Sequence, residues 1–385
     1  MNLQTSAETM PLPSDACDHW VAGHRITFLH DGARCFPAML SEIEAARQEI
    51  LLEMYWFGSD STGFRFAQAL AAKAREGLRV NVLYDAVGSY DSSASVFDRM
   101  REAGCQVREF HPIAPWRKRF MLDRVYFRDH RKILVIDNRV ALTGGLNLAD
   151  EWAPVAEGGK GFRDDMVRVQ GPAAQELRAL FYRTWSMTGG LAPADAPAAH
   201  SRTKSPVRVL SNDFVHERWL IRRAYLRQIR AAKSCITLAN SYFIPDKAVR
   251  RALGRAARRG VRVRVLVPGR SDVAAVQHAS KRLYGTLLKR RIEVYEFTGS
   301  VLHAKSATID DRWCTTGTFN FDHRSWRFSL EVNVAIEDRA AAAALRRRLE
   351  RDIEVSRAVT LAAWRARPFG DRALQELFYA LRRFL

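Results

Sequence analysis

No stretch of this 385-residue sequence is long enough to cross a bilayer. The longest run free of Asp, Glu, Lys and Arg is Ser234–Pro245, well short of the roughly 20 apolar residues a spanning helix needs. The opening segment, MNLQTSAETMPLPSDACDHW, lacks both the basic start and the apolar core of a secretory signal. A chain that starts soluble and meets any membrane peripherally is therefore expected. Cysteine is scarce: Cys17, Cys35, Cys105, Cys235 and Cys314 form an odd, scattered set with no C-x-x-C. Disulfide frameworks need paired thiols and metal sites need clustered ligands, so these read as reduced, structural thiols in a cytoplasmic setting. No His/Asp/Glu cluster has ligand spacing either, so neither a metal nor another cofactor is expected.

Positive charge, in contrast, is abundant. Lys and Arg number 61 against 42 Asp and Glu, a formal net charge of +19. Such an excess attracts polyanions, and nucleic acid, anionic membrane and phosphorylated substrates are the natural partners. Charge alone also suits a soluble protein from an Arg-rich proteome. With 47% hydrophobic residues, the chain can fill the cores of two domains or of one large one.

An internal repeat decides the organisation. Residues 73–89, KAREGLRVNVLYDAVGS, match 256–272, AARRGVRVRVLVPGRSD: a basic helix end, a Gly, an alternating strand and a turn. Upstream of each lies a helix–strand pair, ending in EILLEMY and SCITLANSYFIP. Downstream come a second helix (about 94–103 and 273–289), a short strand (QVREF and IEVYEF) and an H-x-K segment. Strands alternating with helices argue for α/β layers. The boundaries expected are an N-terminal extension 1–23, a first domain 24–187, a Gly/Ala/Pro/Ser-rich linker 188–205, a second domain 206–352 and an amphipathic tail 353–385. Tandem duplicates commonly pack about a pseudo-twofold axis, which would bring equivalent segments face to face.

The repeat culminates in HRKILVIDNRVALTGGLN (130–147) and HAKSATIDDRWCTTGTFN (303–320), which align without a gap. They share His130/His303, Lys132/Lys305, Asp137/Asp310, Gly144/Gly317 and Asn147/Asn320. Two copies with the same extension exclude coincidence. A His and a Lys two apart on a strand share a face, placing a nucleophile or acid beside a fixed cation, which suits attack on a phosphodiester. Asp137 and Asp310, at odd spacing from the lysines, fall on the opposite face and read as structural, holding the following turn. Gly144-Gly145 and Gly317-Thr318 would allow close backbone approach to a ligand, and the Asn amides can donate to phosphate oxygens. The other histidines (His19, His24, His30, His111, His200, His216, His278 and His323) lie outside any repeated unit and read as surface or satisfied residues.

These paired motifs resemble the two H-x-K signatures of the phospholipase D superfamily, across nearly the whole chain. The text around them, ILLEMYWFGSDSTG, ALAAKAREGLRVNVLYDAVGS, ANSYFIPDKAVRRAL and FDHRSWRFSLEVN, is similar to bacterial cardiolipin synthases, in particular the shorter subgroup without N-terminal transmembrane helices. The departures are mild: Thr318 stands where Ser is common, keeping a hydroxyl, and Asp311 follows Asp310. The resemblance implies two phospholipase D-like domains, each a mixed sheet flanked by helices, with the active site between them. It implies metal-free covalent catalysis, with His130 as nucleophile and His303 as acid/base, although near-symmetry leaves the reverse open. Lys132, Lys305, Asn147 and Asn320 would bind the phosphate oxygens. A carboxylate beyond the partner motif would orient each His: Glu331 in SLEVNVAI, and Asp164 in GFRDDMVRV, with Asp165 competing for the latter place.

The expected activity is phosphatidyl transfer to the hydroxyl of phosphatidylglycerol, with phosphatidylethanolamine as an alternative donor, at the cytoplasmic face of the bacterial inner membrane. Residues 116–128, WRKRFMLDRVYFR, mix Trp116, Phe120, Tyr126 and Phe127 with basic residues and would touch an anionic bilayer. The tail 371–385 carries Leu374, Leu377, Phe378, Leu381 and Leu385 at helical spacing. It suits either a bilayer surface or packing on its own domain. Two rivals stand beside this reading. A phospholipase D-type hydrolase of phospholipid or nucleic acid would use the same histidines, but minimal nucleases of the superfamily carry one motif per chain, which disfavours nucleic acid. A non-catalytic phosphate-binding protein would show a degenerate motif, and both are intact.

Overall fold

The computed structural model describes residues 17–117, 119–196, 205–213 and 219–383. The histidines His200 and His216, and residues 197–204 of the expected linker, lie outside them. The first half runs β1 (Asp18–Val21), β2 (His24–His30), α1 (Asp31–Glu44), β3 (Glu49–Met54), α2 (Ser61–Arg75), β4 (Arg79–Asp85), α3 (Ala94–Glu102) and β5 (Gln106–Phe110). It continues through β6 (Arg128–Asp129), β7 (Lys132–Ile136), β8 (Val140–Gly144), β9 (Asp165–Gln170) and α4 (Pro172–Met187). The second half opens with β10 (Val207–Asn212), α5 (Leu220–Ala231), β11 (Cys235–Asn240), α6 (Lys247–Arg258), β12 (Arg262–Pro268), α7 (Ala274–Lys281) and α8 (Tyr284–Leu288). It ends with β13 (Glu293–Phe297), β14 (Lys305–Ile309), β15 (Trp313–Gly317), α9 (His323–Arg327), β16 (Ser329–Ile336), α10 (Arg339–Glu354), β17 (Ser356–Ala358), α11 (Leu361–Arg365) and α12 (Phe369–Ala380).

Each half forms one mixed sheet, in the order β1-β2-β9-β8-β7-β3-β4-β5 and β10-β16-β15-β14-β11-β12-β13-β17. Without β1 and β17 the two orders are the same topology. Towards one end of each sheet, β3-β4-β5 and β11-β12-β13 run parallel, and the motif-bearing strands add antiparallel to them. β1 falls within the expected N-terminal extension and β17 within the expected tail. Each extends a sheet edge, so both sheets reach beyond the domain limits inferred from the repeat.

Alternation along the strands explains the layers. In β3, Ile50, Leu52 and Met54 join a core with α1 and α2, while Leu51 points the other way. In β7, Leu134 and Ile136 take the first face and Ile133 and Val135 the second. That second face is shared: it packs with Leu330, Val332, Val334 and Ile336 of β16 and with α4 and α10. The halves therefore meet through a continuous apolar core, which fixes their motifs relative to one another.

The motif aspartates are structural, as their spacing suggested, but they hold a different segment. Asp137 and Asn138, like Asp310 and Asp311, have positive φ, forming the tight turns between β7 and β8 and between β14 and β15. These residue types tolerate that conformation best after Gly. Their carboxylates reach back to the chain leading into the parallel strands. Asp137 accepts from the N–H groups of Arg47, Gln48 and Glu49 at 2.8–2.9 Å, and Asp310 from those of Lys233, Ser234 and Cys235 at 2.7–2.9 Å. Burial raises the Asp310 carboxyl, but these hydrogen bonds outweigh it and the net shift is downward. Its stabilisation is thus present above the ordinary carboxylate pKa and lost as acid brings the pH through the lowered value. Asp137→Ala or Asp310→Ala should each lower the unfolding free energy by about 2 kcal/mol, through lost charge-assisted hydrogen bonds and a strained alanine. Urea denaturation checks this, and an unchanged midpoint would contradict the bracing role.

Candidate active site

The two H-x-K histidines are positioned by reciprocal backbone contacts between the halves. His130 N–H donates to Leu330 O at 3.1 Å, where β6 pairs in parallel with the start of β16. His303 N–H donates to Arg163 O at 2.7 Å, beside a parallel bridge between Arg163 and Leu302. The residue after each of those carbonyls is a buried carboxylate. His130 Nδ1 lies 3.1 Å from both oxygens of Glu331, and His303 Nδ1 lies 2.7 Å from Asp164 Oδ2. Each half thus supplies a histidine and the acid that orients the other's histidine, the pattern a pseudo-twofold axis produces. With Nδ1 donating to the acid, each Nε2 is left to carry a lone pair on a neutral ring or a proton on an imidazolium.

Asp165, the competitor, goes elsewhere. It accepts from Ser306 Oγ and Arg163, and its Oδ1 lies 2.6 Å from His30 Nδ1. Burial opposes its ionisation, but Arg163 and His30 hold it well below the usual carboxylate range. It is an anchor between strands, not a histidine partner of the motif.

Desolvated lysines stand beside the histidines and their carboxylates. Burial lowers His130 well below its ordinary value, and Lys132, Lys305 and His303 add repulsion. Burial and Lys305 also lower His303, while the charge and hydrogen bond of Asp164 oppose that shift. Burial brings the Lys132 ammonium down to about 7, helped by Lys305, and raises the Glu331 carboxyl to about 8 against the pull of Thr318 and Lys132. Lys132 donates to His130 O at 2.9 Å, and Lys305 Nζ sits 3.1 Å from His303 Nε2. Cations buried this closely together are stabilised by an arriving anion.

The asparagines are held by their oxygens. Asn147 Oδ1 accepts from Trp56 N–H at 3.2 Å and Asn320 Oδ1 from Ser241 Oγ at 2.8 Å. Each Nδ2 remains available as a donor. The glycines correct an expectation, because what approaches them closely is neighbouring strand and not ligand. A Cβ on Gly144 or Gly317 would stand 2.2 Å from the backbone oxygen of Asp165 or Val332, and one on Gly145 would stand 2.1 Å from Asp164 Oδ1. Thr318, equivalent to Gly145, uses its hydroxyl to donate to Glu331. At Gly145 the Asp164 carboxylate itself takes the space a side chain would need, whereas at the equivalent place Thr318 supplies Glu331 with a hydrogen-bond donor.

Three neighbours went unread in the sequence. Trp152 Nε1 donates to Asp164 Oδ2 at 2.9 Å, and its ring meets His303 edge-on at 5.1 Å. Tyr55 meets His130 edge-on at 4.9 Å and lies 4.9 Å beneath the Lys132 ammonium. Ser325 hydrogen-bonds Glu331. Trp152 and Ser325 sit at the same offset after the motif asparagines, so the repeat carried a signal, hidden because the two side chains differ. Of the expected membrane residues, Trp116 and Tyr126 are exposed, at 83% and 69%. Phe120 is half-buried, and Phe127 is instead turned onto Phe328 with ring centroids 5.7 Å apart.

The family described as "Cardiolipin synthase, PLD-like domain" matches residues 39–185 and 225–353, one match per half. A cardiolipin synthase of Geobacillus kaustophilus is 32% identical over 91% of this chain and 70% of its own length. One of Listeria welshimeri is 33% identical over 80% of this chain, and the match spans 64% of that relative, slightly under two thirds. Among solved structures, the phosphatidylserine synthase of Haemophilus influenzae superposes with a TM-score of 0.69 at 13% identity, covering 94% of this chain and 95% of its own, a likeness of fold.

The Lys132 shift carries a measurable consequence. At pH 8 a group titrating near 7 is largely neutral, and a bound phosphodiester raises its pKa, so binding should draw in a proton. Calorimetric titration with dissolved short-chain phosphatidylglycerol, in buffers of different ionisation enthalpy, should show net uptake that Lys132→Met abolishes. Zero uptake in the unmodified protein would contradict the account of the buried cations.

Proposed function

The chain belongs to the cardiolipin synthase family of phospholipase D-like proteins, and on that premise we propose that it forms cardiolipin by phosphatidyl transfer through a phosphohistidine. The observation that carries this reading is the crossed pairing of two buried imidazoles with carboxylates from opposite halves, beside two lysines. The enzyme acts on phospholipid. His130 Nε2 attacks the phosphorus of the donor lipid, a P–N bond forms, and the P–O bond to the headgroup alcohol breaks. His303 gives its proton to that leaving oxygen. The terminal hydroxyl of phosphatidylglycerol then attacks, its proton goes to His303, and the P–N bond breaks to release cardiolipin. Lys132, Lys305, Asn147 and Asn320 offset the charge on the phosphoryl oxygens.

The assignment of roles rests on electrostatics. His130 is held further from protonation than His303, which has the charge of Asp164 to keep a proton. The neutral ring suits the nucleophile and the supported one the acid. Water competes with the acceptor in such a mechanism, so transfer needs a lipid-facing entrance.

Apolar side chains are exposed on two segments near the histidines. Among the described residues no helix is long and apolar enough to cross a membrane. α12 packs on a cluster of Ile244, Val276, Ala279 and Leu283 through Phe378 and Tyr379, and Tyr242 of the same cluster meets His303 at 6.4 Å. Its other face leaves Leu374, Leu377 and Leu381 exposed. On the opposite side, the segment carrying Trp116, Met121, Leu122 and Tyr126 leads directly into His130. These faces seat the enzyme peripherally on the anionic cytoplasmic leaflet, with the headgroup plane near the histidines.

Purified protein incubated with phosphatidylglycerol vesicles, with and without phosphatidylethanolamine, should yield cardiolipin by mass spectrometry. His130→Ala and His303→Ala should each lower the rate about 10³-fold or more. Phosphatidic acid as sole product would make it a phospholipase, and cleavage of single-stranded DNA without lipid product would make it a nuclease. Leu374→Ser combined with Leu377→Ser should reduce sedimentation with vesicles several-fold while dissolved short-chain substrate is still turned over. Equal loss on both substrates would refute the docking role of α12.

A further inference from the structure

A second basic site lies away from the histidines, at the outer edge of the first sheet. β5 is the last strand there, and three strand spacings separate it from β7, roughly 14 Å at ordinary β spacing. Beside β5 the chain leaves a cavity of about 700 Å³, walled by Arg101, Arg108, Arg117 and Arg119, with Tyr84 below and Trp116 at the rim.

The arrangement of charge is unusual. The guanidiniums of Arg108 and Arg119 converge on a single acceptor, Thr188 O, at 2.8 and 2.7 Å. Arg108 is further fixed over the Trp185 ring at 5.0 Å, and Arg119 by Glu109 O at 2.8 Å. Two cations are thus pinned side by side. Among the described residues neither they nor Arg117 form an ion pair with a carboxylate; Arg101 alone of the four does, with Asp98 at 2.8 Å. Glu109 is the one acid in the wall, and burial, acting first, raises its carboxyl above the usual range despite Arg117 and Arg119. Burial and Arg108 together lower Arg119. Planar donors held in fixed orientation, outnumbering the one half-buried acid beside them, form a preorganised receptor for a phosphate group.

We infer that this cavity is an accessory site for the phosphodiester headgroup of a single anionic phospholipid, held at the bilayer surface while a different lipid molecule reacts. The amphiphile is favoured over a soluble phosphate by the rim. Trp116 is 83% exposed there, and Met121 and Leu122 are exposed further along the same segment, which is how interfacial aromatic and apolar side chains meet acyl chains. It is favoured over nucleic acid because the wall has one exposed aromatic and no succession of rings on which bases could stack. Since residues 112–127 run from this cavity to the strand before His130, and His111 Nδ1 is tied to Phe127 O at 2.9 Å, a lipid held here fixes the approach to the catalytic histidine.

The experiment compares sedimentation with phosphatidylcholine vesicles and with vesicles that also contain phosphatidylglycerol, at physiological salt. The proteins are the unmodified chain, Arg117→Gln with Arg119→Gln, Arg101→Gln with Arg117→Gln, and a charge control, Arg255→Gln with Arg258→Gln on the exposed side of α6. Thermal melting establishes that each is folded. Both cavity variants should lose about tenfold or more in their preference for phosphatidylglycerol vesicles, and the control should lose none. Equal loss in the control would reduce the effect to net charge and overturn the site, as would cavity variants that bind like the unmodified chain. Inorganic phosphate, followed by ³¹P line broadening, separates the sources: binding that depends on Arg117 and Arg119, with vesicle binding independent of them, would overturn the lipid assignment. Vesicle binding unchanged while capture of a single-stranded oligonucleotide is lost would likewise overturn it. None of these readouts needs turnover, so absence of cardiolipin synthesis would sink the proposed function and leave this inference standing.

Discussion

The crossed histidine–carboxylate pairs are the contact on which the rest of the structure depends. A histidine from each half finds its acid on the other, and the backbone hydrogen bond of that histidine falls on the residue just before the acid. Neither half is complete alone. The duplication is therefore not a doubling of sites, since both copies are consumed in making one. The shared core of β7, β9, β16, α4 and α10 makes this crossing rigid, because the inward faces of the strands that present the motifs are packed against the opposite half.

Near-symmetry is broken where chemistry needs two different imidazoles. Asp164 has a tryptophan N–H donor and a bare glycine beside it, whereas Glu331 has Thr318 and Ser325. The longer carboxylate is pushed up to about 8 by burial, so it supports a proton on His130 weakly, while Asp164 opposes the deprotonation of His303. Small side-chain differences at equivalent positions thus give the two imidazoles of a near-symmetric frame different electrostatic surroundings. The buried lysines add a cost to the unliganded site that a phosphodiester removes, so binding energy is concentrated at the reacting group.

Much of this was legible in the sequence because duplication writes each signal twice. His130 and His303 stood out among ten histidines only through their shared lysine, glycine and asparagine. Glu331 and Asp164 lie far along the chain from the rings they meet, and it was the resemblance to a known superfamily that pointed to them. What stayed hidden depended on packing. The motif glycines were read as facing ligand, yet strand β9 or β16 fills the space a Cβ would take. Asp137 and Asp310 were read as holding the following turn, but the N–H groups that donate to them lie some 75 to 90 residues earlier in the chain, which no local turn pattern encodes. Phe127 looked like a membrane anchor by composition and is turned onto Phe328 in the other half. The basic cavity at β5 is assembled from α3, β5 and the segment after it, and a run of arginines gives no hint which of them will share a carbonyl.

In the proposed reaction one imidazole attacks phosphorus while the other, across the interface, handles the proton. The most direct measurement is acid-free quenching of His303→Gln protein mixed with short-chain phosphatidylglycerol, followed by peptide mapping under alkaline conditions that preserve phosphoramidates. A phosphatidyl adduct confined to the peptide bearing His130 is the predicted result, slow to form without the acid and persistent without the base that activates the second alcohol. An adduct on another residue, or turnover in the unmodified protein with no adduct at any time, would contradict it.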